Sequence, residues 1–428
     1  MIGVGIIGFG TVGTGTYRII REKAQLIREK TGVEVKVVKI ADIDLVRPRG
    51  MEVEAGLLTR YAEEVLEEER AQLVVELIGG VDKAYDYIVE ALRRRKWVVT
   101  ANKALLCEKG DEIFALSEEL RCEVGFEASV CGGIPLIKAI RDGLVANTIS
   151  QVMGILNGTT NYILTRMTKE GIPFSSALAH AREQGFAEKD ASLDVEGIDT
   201  AHKLCVLARL ALQFSLRRED MKIEGISRIE PIDIEFAKEF GYTIKLLGVL
   251  REREGMVEAR VEPTMIPLSS ALANVDGVFN GVYVVGDKTG PTLYYGKGAG
   301  AEPTGSAVVS DIVDMAKRYV LGTPRSYPVN PQGRKATKGY EFPYPFYVRL
   351  YAEDRPGVLS KISGILAAHD ISISAVIQKG RHRDGYVPIV MVLHETKEED
   401  LLKAKREMDA LDILKEESIH IRIEKEVE

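Results

Sequence analysis

Short runs of Val and Ile alternate with longer amphipathic stretches through the first third of the chain. Apolar runs at 4–8, 33–42, 73–78 and 97–100 predict strands, and one-sided apolar spacing at 14–30, 83–95 and 111–120 predicts helices between them. That alternation is the pattern of βαβ units building a parallel sheet. From 134 to 300 the pattern changes to helical runs such as 196–213 and later alternating strands such as 256–266, so a separate α+β unit is expected. Pro324, Pro328, Pro331, Pro343 and Pro345 cluster with Gly322, Gly333 and Gly339 over 321–345, a composition that interrupts regular structure and reads as a linker. Beyond it the pattern predicts strand 346–352, helix 358–369, strands 373–378 and 386–394, helix 398–410 and strand 418–423. This βαββαβ order is that of a ferredoxin-like unit.

Size and composition agree with several units. A chain of 428 residues exceeds what one hydrophobic core usually organises, and 45% hydrophobic against 28% charged residues leaves enough apolar area for proper cores. With 57 basic against 64 acidic residues the net charge is -7, so no basic footprint for nucleic acid or an anionic membrane is present. Cys107, Cys122, Cys131 and Cys205 lack the CxxC spacing of a zinc or redox site and read as small core residues of a reducing compartment. No apolar run approaches bilayer-spanning length and no basic leader precedes the first strand, so a cytoplasmic protein is expected. His369, His382 and His394 lack metal spacing and read as surface or packing residues.

Gly8, Gly10 and Gly13 form a GxGxxG run that follows an apolar strand and opens a helical pattern, the context in which the motif predicts dinucleotide binding. Gly8 permits the tight turn, Gly10 admits the pyrophosphate, and Gly13 lets the helix pack on the strand. The amides of Thr11 and Val12 then face the phosphates. A Rossmann-type doubly wound sheet is the fold this predicts. At the second βα turn Asp42 favours the ribose hydroxyls of NAD and Arg47 favours the 2′-phosphate of NADP, so both cofactors stay open.

Lys103 follows a buried strand at the edge where doubly wound sheets bind ligands. Asp199 and Lys203 are four residues apart on an otherwise apolar helix, so both project to one side, as a surface ion pair or as part of a site. In this setting the chain resembles homoserine dehydrogenases along nearly its whole length. The matching segments are 5–13 (GIIGFGTVG), 75–80 (VELIGG), 100–103 (TANK), 125–135 (GFEASVCGGIP), 154–164 (GILNGTTNYIL), 185–190 (GFAEKD) and 194–203 (DVEGIDTAHK).

The resemblance implies hydride transfer between a nicotinamide and the carbon bearing the homoserine hydroxyl, interconverting L-homoserine and L-aspartate 4-semialdehyde in threonine, methionine and isoleucine biosynthesis. It implies Lys203 as the catalytic lysine with Lys103 assisting and touching substrate or cofactor, Glu188 and Asp199 as holders of the substrate ammonium, and Asp194, also a substrate residue, as the one that orients the lysines. Gly185 and Gly300 are implied to contact the cofactor. An ammonium beside the aldehyde oxygen would stabilise charge building there and supply the proton. Cationic neighbours and partial desolvation are expected to lower a lysine pKa towards the operating pH.

Glu127 with the carbonyls of Val130, Gly132 and Ile134 matches the family's monovalent-cation loop, which implies a structural sodium or similar ion. The segment 296–306 resembles the one that returns to the cofactor unit. The implied organisation is a Rossmann domain at 1–133 completed by a helix near 305–320, a homoserine-binding and dimerisation domain at 134–304, a linker at 321–345 and a regulatory domain at 346–428. That last segment, with Arg355-Pro356-Gly357 opening its first helix, looks like an ACT domain, which implies either an amino-acid effector such as L-threonine or dimerisation alone. A homo-oligomer, dimer or tetramer, is implied as well. A rival reading is a non-catalytic dinucleotide-sensing regulator, which would need none of Lys103, Glu188, Asp199 and Lys203.

Overall fold

The strand β1 (Ile2–Ile7) is buried at every position, as a strand covered by helices on both faces must be. It sits at the middle of a parallel six-stranded sheet with β2 (Val35–Ala41), β3 (Leu58–Thr59), β4 (Ala71–Glu76), β5 (Trp97–Thr100) and β6 (Val124–Gly125), in the order β3-β2-β1-β4-β5-β6. The strand order reverses between β1 and β4, which opens a crevice at their carboxyl ends where the glycine loop lies. The computed structural model describes residues 1–330, 333–378 and 385–425. Pro331 and His382 lie outside the described residues.

The helix expected over 14–30 is two helices, Thr11–Glu22 and Ala24–Thr31. The second buries no residue, so the apolar face that would hold a single rod against the sheet stops at the break. The first packs against the Ala301–Leu321 helix at close range. A Cβ on Gly15 would stand 2.2 Å from the Ala301 carbonyl oxygen, and one on Gly305 would stand 2.9 Å from the Gly15 carbonyl carbon.

A second sheet of eleven strands holds β7 (Ile149–Ile155), β8 (Lys222–Ile223), β9 (Tyr242–Arg253), β10 (Met256–Pro267), β11 (Phe279–Gly286), β12 (Gly290–Lys297), β13 (Lys335–Thr337), β14 (Pro343–Glu353), β15 (Ile373–Gln378), β16 (Tyr386–Lys397) and β17 (Ile419–Ile423). Its main path runs β12-β11-β7-β9-β10-β17-β14-β16-β15, with β8 and β13 also on β10. The last four strands of that path and the helices Val358–Ala368 and Glu398–Asp409 form the ferredoxin-like unit. Its core includes Phe346, Leu350, Ile362, Met391 and Leu401.

That unit is not merely tethered. β17 pairs in parallel with β10 through Thr264↔Arg422 and Met265↔Ile423, so the strands of the ferredoxin-like unit continue the strands before them in one sheet. The proline-rich stretch before it carries β13, paired on β10, and the start of β14. Where β10 and β17 meet, Arg260 and Arg422 are buried among Glu258, Glu262, Glu398 and Glu424. Among the described residues no helix is long and apolar enough to cross a membrane.

Candidate active site

The glycine loop has the geometry expected of it. Gly8 adopts φ +101°, and a Cβ there would meet the Leu77 carbonyl carbon at 2.6 Å. A Cβ on Gly13 would stand 2.2 Å from the Gly8 oxygen, whereas Gly10 faces open space. The residues present therefore fit a dinucleotide phosphate at the helix N-terminus, with Thr11 and Val12 lining the adjoining cavity. Asp42, at the end of β2, accepts from the Phe9 N–H at 2.6 Å. The side chain of Arg47 is exposed. It is Arg49, which the sequence did not single out, that lies on the loop: its guanidinium stands 5.0 Å above the Phe9 ring and 3.8 Å from Asp42.

A cavity of about 600 Å³ opens between the two sheets. Lys103 begins the Lys103–Glu119 helix, whose N-cap Asn102 accepts from the Leu105 N–H at 3.1 Å. On the other wall the Ile198–Leu212 helix, buried over most of its length, presents Asp199 and Lys203 one turn apart. Their side chains meet at one carboxylate: Lys103 Nζ lies 3.3 Å from Asp199 Oδ1 and Lys203 Nζ lies 2.7 Å from Oδ2. Lys203 also donates to the Leu156 carbonyl, and Asp194 and Asp199 both accept from the Asn157 amide, at 2.7 and 2.8 Å.

The charges settle one another. Burial pushes the Asp199 carboxyl up, but Lys203 and Lys103 together hold it well below the usual carboxylate range. Burial, the largest single influence, pulls the Lys203 ammonium down, but the charge and hydrogen bond of Asp199 together with Cys131 and Asp194 outweigh it, so Lys203 stands above the ordinary lysine value. This corrects the expectation of a lowered lysine: the surrounding anionic and hydrogen-bonding groups, Asp199 foremost, together exceed the effect of burial. Burial, with the Asp199 charge adding to it, raises Asp194.

Gly185 and Gly300 line the same cavity, with φ of +73° and +128°. Glu188 does not line it; this residue is exposed, two positions beyond Phe186 at the rim. Glu127, at 1% exposure, accepts from the Ile137 and Lys138 N–H groups at 2.9 Å each. Asp311, equally buried, accepts from the Glu127 N–H at 2.7 Å. Burial and the Asp311 charge push the Glu127 carboxyl up to about 7. Two neighbouring buried carboxyls are of a donor type that could hold a hard monovalent cation, and Val130, Gly132 and Ile134 of the same loop are also buried, with the Ile134 carbonyl accepting from the Leu136 N–H at 2.7 Å.

Cys107 and Cys205 are joined in a disulfide, which corrects the reading of all four cysteines as unpaired core residues. The two stand on the helices that carry Lys103 and Lys203, ninety-eight positions apart in sequence, so no local spacing announces them. Cys122 and Cys131 are free and buried.

Comparison with known proteins matches three family models in chain order. These are the homoserine dehydrogenase NAD binding domain over 8–127, homoserine dehydrogenase over 135–313 and the ACT domain over 346–412. The chain is 42% identical over 428 residues to a Helicobacter pylori homoserine dehydrogenase, covering 99% of both chains. It is 38% identical to one from Bacillus subtilis, covering 99% of this chain and 98% of that one. The crystal structure of a homoserine dehydrogenase from Thiobacillus denitrificans superposes with a TM-score of 0.92 at 41% identity, covering 99% of this chain and 98% of that chain.

Proposed function

The chain belongs to the homoserine dehydrogenase family, and from that premise we propose that it interconverts L-homoserine and L-aspartate 4-semialdehyde with Lys203 as the acid and base. It is an NAD(P)-dependent oxidoreductase carrying an ACT domain. The observation that carries the reading is the meeting of Lys103 and Lys203 on Asp199, from opposite walls of one cavity. The nicotinamide, when bound, supplies or accepts the hydride.

In the reducing direction negative charge builds on the aldehyde oxygen, and the Lys203 ammonium stabilises it and delivers the proton. In the oxidising direction neutral Lys203 takes the hydroxyl proton. Lys103 supports the same oxygen or the cofactor. Asp194, already on the cavity wall, and Glu188, from the rim, take the substrate ammonium, while Asp199 holds the lysines. The two aspartates exchange the roles expected from the resemblance, because Lys103 and Lys203 meet Asp199 whereas Asp194 is held by Asn157. Closing the site around the substrate would strengthen each of these interactions by excluding water.

The cation proposed at Glu127 and the carbonyls of Val130, Gly132 and Ile134 is sodium, in a structural role. The ACT domain is proposed to sense an amino acid of the threonine, methionine and isoleucine branch, L-threonine first. A dimer or tetramer is supported by Leu293 and Tyr295, exposed on β12, one of the two end strands of the long sheet's main path. A cytoplasmic location is proposed with these, on the strength of the cofactor and substrate rather than of the cysteines.

The test is oxidation of NADPH and of NADH with L-aspartate 4-semialdehyde, for the native protein and Lys203→Ala. Native turnover that the substitution reduces by several orders of magnitude is the expected result. Folded protein that binds nucleotide but turns over with neither cofactor would overturn the reading in favour of a dinucleotide sensor.

A further inference from the structure

Asn157 lies against the two aspartates, and hydrogen bonding fixes which way its amide points. It N-caps the Gly158–Glu170 helix, where Oδ1 accepts from the Thr160 N–H at 2.8 Å and from the Thr160 hydroxyl at 3.1 Å. A backbone N–H requires an acceptor, so Oδ1 faces the helix and Nδ2 faces away from it. There Nδ2 donates to Asp194 Oδ1 at 2.7 Å and to Asp199 Oδ2 at 2.8 Å. Asn157 itself is 5% exposed, while the two acids it holds line the cavity. The residue before it, Leu156, gives its carbonyl to Lys203.

We propose that Asn157 is a positioning residue for the hydride-transfer reaction: its amide holds Asp194 and Asp199 side by side, keeping Asp199 on the two lysines and Asp194 turned to the cavity. This rests on the roles given above to Lys203 and the two aspartates. Two carboxylates on one nitrogen repel each other, and the two N–H donors of a single amide offset that repulsion. Aspartate at this position would cap the helix but donate to neither acid. Serine offers one donor in place of two, and glutamine is one methylene too long for the same reach.

Asn157→Asp and Asn157→Ala separate positioning from folding. Asn157→Asp keeps the cap acceptor but sets a third carboxylate beside two others, so it should melt below the native protein and is assayed at a temperature where it stays folded. Its kcat/KM for homoserine should nevertheless fall on the order of 10- to 100-fold, the loss expected when a buried charge-assisted hydrogen bond is removed. A third carboxylate also stabilises the Lys203 ammonium, so the rising limb of the oxidation pH profile should move to higher pH. Asn157→Ala should lose kcat/KM beyond what its melting temperature explains. Native kcat/KM and an unmoved limb in Asn157→Asp would overturn the proposal, as would losses in both variants that track melting temperature alone. If the native protein itself does not turn over homoserine, the functional reading fails separately, and carbon-13 carboxyl titration of Asp194 decides the role of Asn157. An upward shift in Asn157→Asp supports it, and an unmoved titration overturns it.

Discussion

Lys103 Nζ lies 3.3 Å from Asp199 Oδ1, a contact that joins the helix after β5 to a helix packed on the second sheet. The other oxygen of that carboxylate holds Lys203, whose ammonium is thereby kept above the ordinary lysine value against the pull of burial. Lys203 therefore carries its proton through neutral pH. Aldehyde reduction finds the proton in place, whereas homoserine oxidation must first remove it, so its rate should climb into the alkaline range. Asp199→Asn removes the charge that raises Lys203, and the rising limb should move to lower pH with kcat down by about tenfold or more. Paired pH–rate profiles check this; a limb that stays in place would mean that Asp199 does not govern Lys203.

Arg49 bears on cofactor choice. Its Nε donates to the Phe9 carbonyl at 3.3 Å and its guanidinium neighbours Asp42, so a 2′-phosphate at this turn would meet a cation beside the carboxylate. The expected outcome is that NADPH is accepted. Arg49→Ala should raise the KM for NADPH about tenfold, as loss of a charge-assisted hydrogen bond would, and leave that for NADH within about twofold. Initial rates with the two cofactors decide it, and equal effects on both would remove Arg49 from the 2′-phosphate.

The Glu127 carboxyl is pushed from 4.5 to about 7 by burial and by Asp311. A carboxyl raised in the folded state binds more protons folded than unfolded between those values. Without a cation, stability is then fully present below pH 4.5 and declines as pH rises through about 7, by on the order of 3 kcal/mol. A cation that binds the ionised form offsets this loss. Replacing choline chloride with sodium chloride should therefore raise the melting temperature more at pH 8 than at pH 5. Glu127→Gln should abolish the difference, and a sodium response that survives it would place the ion elsewhere.

Much of the site was legible because its motifs are local. Asp199 and Lys203 share one helix turn, and Gly8, Gly10 and Gly13 share one strand-to-helix junction, so spacing alone brings them together. What escaped the sequence is held by long-range contact. Asn157 reaches acids 37 and 42 positions away, and Arg49 reaches Phe9 from 40 positions away. The rise in Lys203 was missed for the same reason: its sign depends on whether burial or Asp199 dominates, and burial is set by packing. The continuity of the ferredoxin-like strands with the rest of the eleven-stranded sheet was hidden too, since β17 reads as an ordinary terminal strand until it is seen beside β10.

The disulfide closes a long loop and ties the Lys103 helix to the Lys203 helix. Constraining the unfolded chain over such a loop contributes about 2–5 kcal/mol. Reduction should lower the melting temperature measurably, and Cys107→Ser should lose that response. In denaturant without reductant, two of the four cysteines should react with a thiol reagent, rising to four after reduction. Four reactive thiols in carefully unreduced protein would show that the pair is not oxidised in solution.

Arg422 connects the ACT unit to the catalytic one. It is 1% exposed, its Nε lies 2.6 Å from Glu262 on β10, and its Nη2 pairs with Glu398. The neighbour of Glu262, Val261, packs where a Cβ on Gly197 would stand at 2.9 Å, and Gly197 caps the helix that carries Asp199 and Lys203. A shift of β17 against β10 thus reaches that helix through one strand. Arg422→Ala leaves buried Glu262 and Glu398 without this partner and should destabilise the protein by about 3–5 kcal/mol. Arg422→Met fills the volume but also leaves Glu262 and Glu398 short of a cation, so it should cost stability as well. At a temperature where it stays folded, basal turnover should be close to native and inhibition by the proposed effector L-threonine severalfold weaker. Cutting the chain near Pro345 is the blunter test, because it strips β14 and β17 from the sheet and uncovers Arg260. Inhibition curves for Arg422→Met decide the matter: native sensitivity with native turnover would mean that the effector signal bypasses the β10 and β17 seam.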